Sequence, residues 1–300
     1  MTSNAFDNIT PFQLESGRLR GRLVRLGAVL DNMLDKHDYP AAVASLLAET
    51  AVTGAALASM LKYEGRFTLQ AKGDGPVRLL VADTTHTGGL RAYARYDTSA
   101  VTTMGDEGIG LLGKGYLAFT VEPSGEGQET YQGIVPLRGA TVAAAAQHYF
   151  RQSEQIPTGL IAAVRREPDG HWRAACLMLQ QMPEAGGQGA TADGMTTQEF
   201  WQHVMVLMSS CTPEELLDAE LPATDLLYRL FHGEQVRAAP AMPLSHVCSC
   251  ATRIRAALRL FNREEVLDMA QDGVVTLHCE FCNSAYRYNE AEIAEILATS

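Results

Sequence analysis

His246-Val247-Cys248-Ser249-Cys250 and, further along, Cys279-Glu280-Phe281-Cys282 are the stretches from which the organisation of this chain can be read: a CxC, 28 intervening residues, then a CxxC. Four thiols grouped as two tight pairs suit a tetrahedral zinc ion, each pair supplying two sulfurs from one side. The CxC half is unusual, since zinc knuckles normally separate their ligands by two to four residues. One intervening residue also leaves the two sulfurs close enough to join. A disulfide across so short a ring is strained and labile, and it removes little loop entropy from the unfolded chain. The pattern therefore predicts zinc when the thiols are reduced and local disulfides when they are oxidised. The plainer alternative is a structural zinc site that only holds a small domain together. His246 and His278 lie beside cysteines, but four sulfurs already complete a tetrahedron, so both read as neighbours rather than ligands.

The unit around these cysteines is short. Ile254, Leu258 and Phe261 form one helical stripe, and Glu264–Gln271 a second helix ended by Asp272-Gly273. Val274–His278 and Ala285–Tyr288 read as strands joined across the knuckle, and Ile293, Ile296 and Leu297 mark a last helix. A segment of about sixty residues has a thin core, so a metal would supply much of its stability.

Upstream, short helices dominate. Thr196 with Glu199, and Thr212 with Glu215 behind Pro213, are capping boxes. Phe200, Val204, Leu207 and Met208 form one apolar stripe; Leu226, Leu227, Leu230 and Phe231 form another that stops at Gly233. Helices this short cannot bury such stripes among themselves and are expected to lean on a neighbouring domain. If that burial depends on docking, the two stripes become candidate contacts for partner proteins. Five methionines fall between Met178 and Met208, with core filling as the default reading. Before these helices, the glycine-rich run Glu184–Gly194 reads as a flexible linker.

The remaining N-terminal part alternates in the manner of strands. Residues 18–26 place Arg18, Arg20 and Arg22 on one side and Leu19 and Leu23 on the other, predicting a strand with a solvated basic face. Ala41–Leu61 reads as an amphipathic helix, too interrupted by Glu49 and by Ala and Thr to be a membrane span. Five strands are expected over 66–135 and two more near 160–165 and 172–179, with an alanine-rich helix over 139–152. Gly108-Ile-Gly110-Leu-Leu-Gly113 matches GxGxxG but lacks the preceding buried strand and following helix that nucleotide binding needs. The reading as a whole is an α+β fold: a β-rich N-terminal domain with packed helices (1–183), a helical linker region (184–240) and a small C-terminal zinc-binding domain (241–300).

Composition bounds the function. A net charge of −11, from 24 basic and 35 acidic groups, gives no general attraction to nucleic acid or anionic membranes. The N-terminus has no basic segment followed by an apolar one, so the reducing cytosol is expected, where clustered cysteines mean metal or redox chemistry. Cys176 and Cys211 stand alone and read as buried small hydrophobes. No hydrolase triad is evident.

The cysteine pattern, with Cys279-Glu-Phe-Cys-Asn283, resembles the 33-kilodalton heat-shock protein family of redox-regulated holdase chaperones. The resemblance continues through Gly21-Arg-Leu-Val-Arg-Leu26, Gly115-Tyr-Leu, Tyr131-Gln-Gly-Ile-Val135, Tyr149-Phe-Arg-Gln-Ser-Glu-Gln-Ile-Pro-Thr158 and Tyr228-Arg-Leu-Phe-His232. It departs at Ala251-Thr252-Arg253-Ile254 and at Gly233, neither of which removes a ligand. It implies a non-enzymatic, ATP-independent chaperone with Zn2+ on Cys248, Cys250, Cys279 and Cys282 in the reduced form. Oxidation would give Cys248–Cys250 and Cys279–Cys282 disulfides, release zinc, unfold the C-terminal domain and free the linker to hold unfolding clients. It further implies a homodimer on activation, with no nucleotide, nucleic-acid or membrane partner. Two rival readings stay open from the residues themselves. One is a zinc-ribbon nucleic-acid module, using Arg253, Arg255, Arg259, Arg263 and the Arg18–Arg25 face. The other is a thiol–disulfide oxidoreductase built on Cys279-x-x-Cys282.

Overall fold

The computed structural model describes residues 6–15, 18–104, 108–125, 127–183 and 195–298; the 184–194 run read as a flexible linker lies outside them. The chain divides into two compact units, Met1–Leu34 with Tyr39–His246 and Asp35–Asp38 with Val247–Ser300.

The larger unit begins with β1 (Asn8–Leu14), β2 (Leu19–Leu26), α1 (Ala28–Leu34) and α2 (Ala41–Ala58). Next come β3 (Gly65–Gly73), β4 (Val77–Thr85), β5 (Gly89–Tyr96), α3 (Thr98–Met104), β6 (Gly115–Pro123) and β7 (Tyr131–Pro136). Then follow α4 (Val142–Tyr149), β8 (Thr158–Arg166), β9 (Trp172–Gln181), α5 (Thr197–Ser209), α6 (Pro213–Leu216) and α7 (Ala223–Phe231). Three two-residue strands close the unit: β10 (Arg237–Ala238), β11 (Met242–Pro243) and β12 (Ser245–His246). One sheet runs β10-β1-β2-β9-β8, with β11 also on β1; the other runs β12-β5-β4-β3-β6-β7. Pairing is antiparallel throughout except for β12 on β5.

α2 lies between the two sheets. The expected amphipathic stripe is absent: 14 of its 18 residues are buried, because Val24, Leu26, Cys176 and Met178 of one sheet and Phe67, Leu69, Leu80 and Phe119 of the other share its core. Ala and Gly at half of its positions let both sheets approach. The helix is long and apolar enough to cross a membrane, yet most of that surface is covered by the fold.

The first sheet is buried on both faces, which corrects the solvated basic face. On β9, Ala174, Cys176 and Met178 face the α2 core, while Ala175, Leu177 and Leu179 face the α5–α7 helices. The period of two thus serves two cores at once. Arg22 is half-buried and donates from Nε and Nη2 to the Ser59 carbonyl (3.2 and 3.0 Å) at the C-terminal end of α2, where a cation complements the helix dipole. Arg25 is 1% exposed and donates to the carbonyls of Leu221 (2.6 Å) and Glu215 (3.2 Å) in the α6–α7 region. Burial lowers its pKa from the ordinary arginine value, with the Asp218 charge acting in the opposite sense.

The GxGxxG segment is a single 3-10 turn, Gly108–Leu112, with Leu111 and Leu112 buried. It leads into β6, and Leu112 accepts from Gly75 N (2.9 Å). Its role here is packing against the β3–β4 turn.

The smaller unit holds α8 (Cys250–Leu258), α9 (Arg263–Leu267), the β13 (Val274–His278) and β14 (Ala285–Asn289) hairpin, and α10 (Glu290–Ala298). Its core is Leu258, Val266, Val275, Tyr288, Ile293 and Ile296. Phe261, read as part of the α8 stripe, lies beyond the helix end and is exposed, as are Leu260 and Met269.

Candidate metal centre and linker face

Cys250 is the first residue of α8, behind Ser249 at the N-cap. Cys248 lies two residues upstream. The other pair sits in the turn between β13 and β14. Asn283 takes a left-handed φ of 54°; its N–H donates to the Cys279 carbonyl (2.8 Å), and Cys279 N donates to the Ser284 carbonyl (3.0 Å). This tight knuckle sets Cys279 and Cys282 side by side.

The four sulfurs all lie within 4.8 Å of one another. Cys248 and Cys279 are 3.6 Å apart, and Cys250 and Cys282 3.4 Å. Sulfurs held about 2.3 Å from a tetrahedral zinc ion stand about 3.8 Å from each other, so the donor set fits that ion. The separations are far beyond the roughly 2.05 Å of a disulfide, and all six cysteines are free thiols. Neither His246 nor His278 belongs to the group.

Two supporting residues escaped the sequence reading. Tyr286 Oη lies 2.8 Å from Cys250 Sγ, and Ser284 Oγ lies 3.3 Å from Cys282 Sγ. Such partners orient metal-bound sulfur and tune it. The signal was available for Ser284, two residues past the CxxC, but Tyr286 is brought in only by the hairpin register. Burial pushes the Cys248 thiol up, as do its contacts with Cys250 and Cys279. Burial also acts upward on Cys282, but hydrogen bonds from Ser284 and the neighbouring cysteines outweigh it and bring that thiol down to about 7.

The remaining cysteines are elsewhere. Cys176 is buried as expected, and burial raises its pKa. Cys211 is only half-buried, a departure from expectation, with its thiol pushed up to about 11 by burial.

Both capping boxes form, at Thr196–Glu199 and Thr212–Glu215. Phe200, Val204, Met208, Leu226, Leu227, Leu230 and Phe231 are buried against Phe12, Leu14, Leu19 and Leu23 of the first sheet; Leu207 alone of the two stripes is half-buried. Two glycines make room for this docking. A Cβ on Gly21 would meet the Phe12 ring at 2.0 Å, and one on Gly159 would meet Met205 Sδ at 2.6 Å. Phe12 in turn stacks on Phe231, ring centroids 6.0 Å apart.

The geometry bears on both rival readings. The CxxC lies in a strand–strand turn, whereas a dithiol oxidoreductase places it at a helix N-terminus. Of the four arginines on and after α8, Arg259 donates to the Ile296 carbonyl and Arg263 pairs with Glu290.

A sequence profile described as Hsp33 protein matches residues 7–289. A protein of Caulobacter vibrioides named 33 kDa chaperonin is 38% identical over 291 residues, covering 94% of each chain. One of the same name from Escherichia coli is 36% identical over 292 residues, covering 97% of this chain and 94% of that one. The crystal structure of the Thermotoga maritima 33 kDa chaperonin, at 23% identity, aligns with a TM-score of 0.79 over 97% of this chain and 98% of that chain, a likeness of fold.

Proposed function

Because the chain belongs to the Hsp33 family of chaperones, we propose that it is a redox-regulated, ATP-independent holdase of the cytoplasm, silent when reduced and zinc-bound. The observation that carries the reading is the four thiols within 4.8 Å of one another in a unit whose core is six buried residues. When bound, Zn2+ holds the four sulfurs as thiolates and fastens α8 to the β13–β14 turn. Peroxide takes two electrons from each pair: two thiolates, one H2O2 and two protons give a Cys248–Cys250 or Cys279–Cys282 disulfide and two waters. Hypochlorous acid serves as an oxidant of the same class. Oxidation withdraws all four ligands, and the small unit then lacks the core to stay folded.

The segment 184–240 acts as a linker whose C-terminal anchor is lost with that unit. Released, it would expose Phe200, Val204, Leu207, Met208, Leu226, Leu227, Leu230 and Phe231, together with the sheet face beneath, as a surface for unfolding clients. Activated chains pair as homodimers. Nucleotide, nucleic acid and membranes take no part.

The test is light scattering from a chemically unfolded client diluted into buffer, with zinc release read by a chromogenic chelator. Suppression of aggregation only after peroxide at elevated temperature, with one zinc freed per chain, is the expected result. Retained zinc and no protection in either state would reduce the cysteines to a structural clamp.

A further inference from the structure

Two adjoining recesses lie on the larger unit where α4 and the turn after it meet α5. One, of about 440 Å³, is lined by Ile156, Pro157, Trp201 and Met205 together with Gln147 and Arg151. The other, of about 330 Å³, is lined by Arg138, Ala144 and His148 and shares Gln147 and Arg151 with the first. They adjoin across Gln147 and Arg151, the first with Ile156, Pro157, Trp201 and Met205 on its wall and the second with Arg138. Among the described residues, no carboxylate lines either part. Among the described residues, Arg151 bonds only His148 Nδ1 (3.2 Å), and Arg138 has no ion-pair partner. Two guanidinium groups without acids among the described residues, a half-exposed tryptophan and Met205 meet along these recesses. They are ordinary for an interface, where Trp, Met and Arg are enriched. Gln147 spends its Oε1 on Leu160 N (3.3 Å), which leaves its amide N–H groups as donors.

We propose that these adjoining recesses dock an extended segment of a partner protein in which large apolar side chains are followed by acidic ones. The apolar side chains fill the recess between Ile156 and Trp201, and the carboxylates meet Arg151 and Arg138, where planar guanidinium groups can bind them in bidentate fashion. Because Trp201 and Met205 belong to α5, an occupant bridges that helix to the domain beneath and favours the docked linker by linkage. Only this consequence, opposition to activation, rests on the chaperone reading; the binding does not.

The test uses the reduced, zinc-loaded full chain and an acetylated, amidated peptide of two leucines followed by three glutamates, with binding read by tryptophan fluorescence and calorimetry. The expected result is saturable binding that weakens with salt, and by about tenfold or more in the charge-reversed Arg138→Glu/Arg151→Glu double variant. Both positions are exposed, so the variant keeps its fold, checked by circular dichroism. Replacing the glutamates with glutamine should have the same effect. Equal affinity in the double variant, equal affinity for the glutamine peptide, or no saturation in the millimolar range would overturn the site. A second arm follows peroxide activation with peptide present: a delay supports the linkage, and binding without delay overturns it while leaving the site in place.

Discussion

The α5–α7 helices and the C-terminal unit share one problem and solve it differently. Each is too short to enclose a core. The helices contribute nine buried side chains, from Phe200 to Phe231, to a core whose other half is the outer face of the first sheet. The C-terminal unit gathers six buried side chains of its own and leaves Leu260, Phe261 and Met269 exposed; beside them stand four convergent thiols. Apolar docking of the first kind responds to temperature and to anything that competes for the surface. A thiol cluster of the second kind responds to metal and oxidant. On the proposed function, a chain that contains both, one after the other, would convert a chemical signal into the exposure of apolar surface.

The largest expected effect begins in the C-terminal unit. Removing zinc from the reduced chain with a strong chelator should unfold it, since structural zinc is commonly worth about 10–16 kcal/mol. Limited proteolysis should then cut within 247–298 and spare the β-sheets; a unit resistant to protease without metal would break the contrast. On the helical side, Phe231→Ala should cost about 3–5 kcal/mol, seen as early proteolysis within α5–α7 with zinc retained. Arg25→Ala should act in the same place, by about 2–3 kcal/mol, because it leaves the carbonyls of Leu221 and Glu215 without a donor. Gly159→Val, which drives a side chain into Met205, should cost about 1–3 kcal/mol and blue- or red-shift Trp201 emission without touching zinc affinity. Thr196→Ala, which removes one capping box, should cost about 1 kcal/mol. Any of these helical variants that released zinc from the reduced chain would show that the two regions are a single cooperative piece.

Much of this was legible in the chain. The CxC and CxxC spacing located the thiol cluster, and Thr-x-x-Glu located both caps, because each signal is local and chemically specific. The strand alternation was equally readable, but not what each face met. Arg18, Arg20 and Arg22 look like a solvated face until a helix end is found against Arg22, and Arg25 gives no sign of the two buried carbonyls it meets; those partners lie 37 to 196 residues away. α2 read as one-sided for the same reason: its Ala and Gly positions count as polar-tolerant in sequence but are where the second sheet packs. The edge strands β10–β12 are two residues each, too short to carry a period. The Asn262–Glu265 capping box at α9 was present in the sequence and passed over.

On the proposed mechanism, oxidation of the four cysteines frees the helices as well as the small unit. Hydrogen exchange read by mass spectrometry, comparing the reduced zinc-loaded chain with the peroxide-treated chain, tests it most directly. The expected result is loss of protection over 247–298 and over α5–α7 together, with β3–β6 and α2 unchanged. Loss confined to 247–298, with α5–α7 as protected as before, would contradict it.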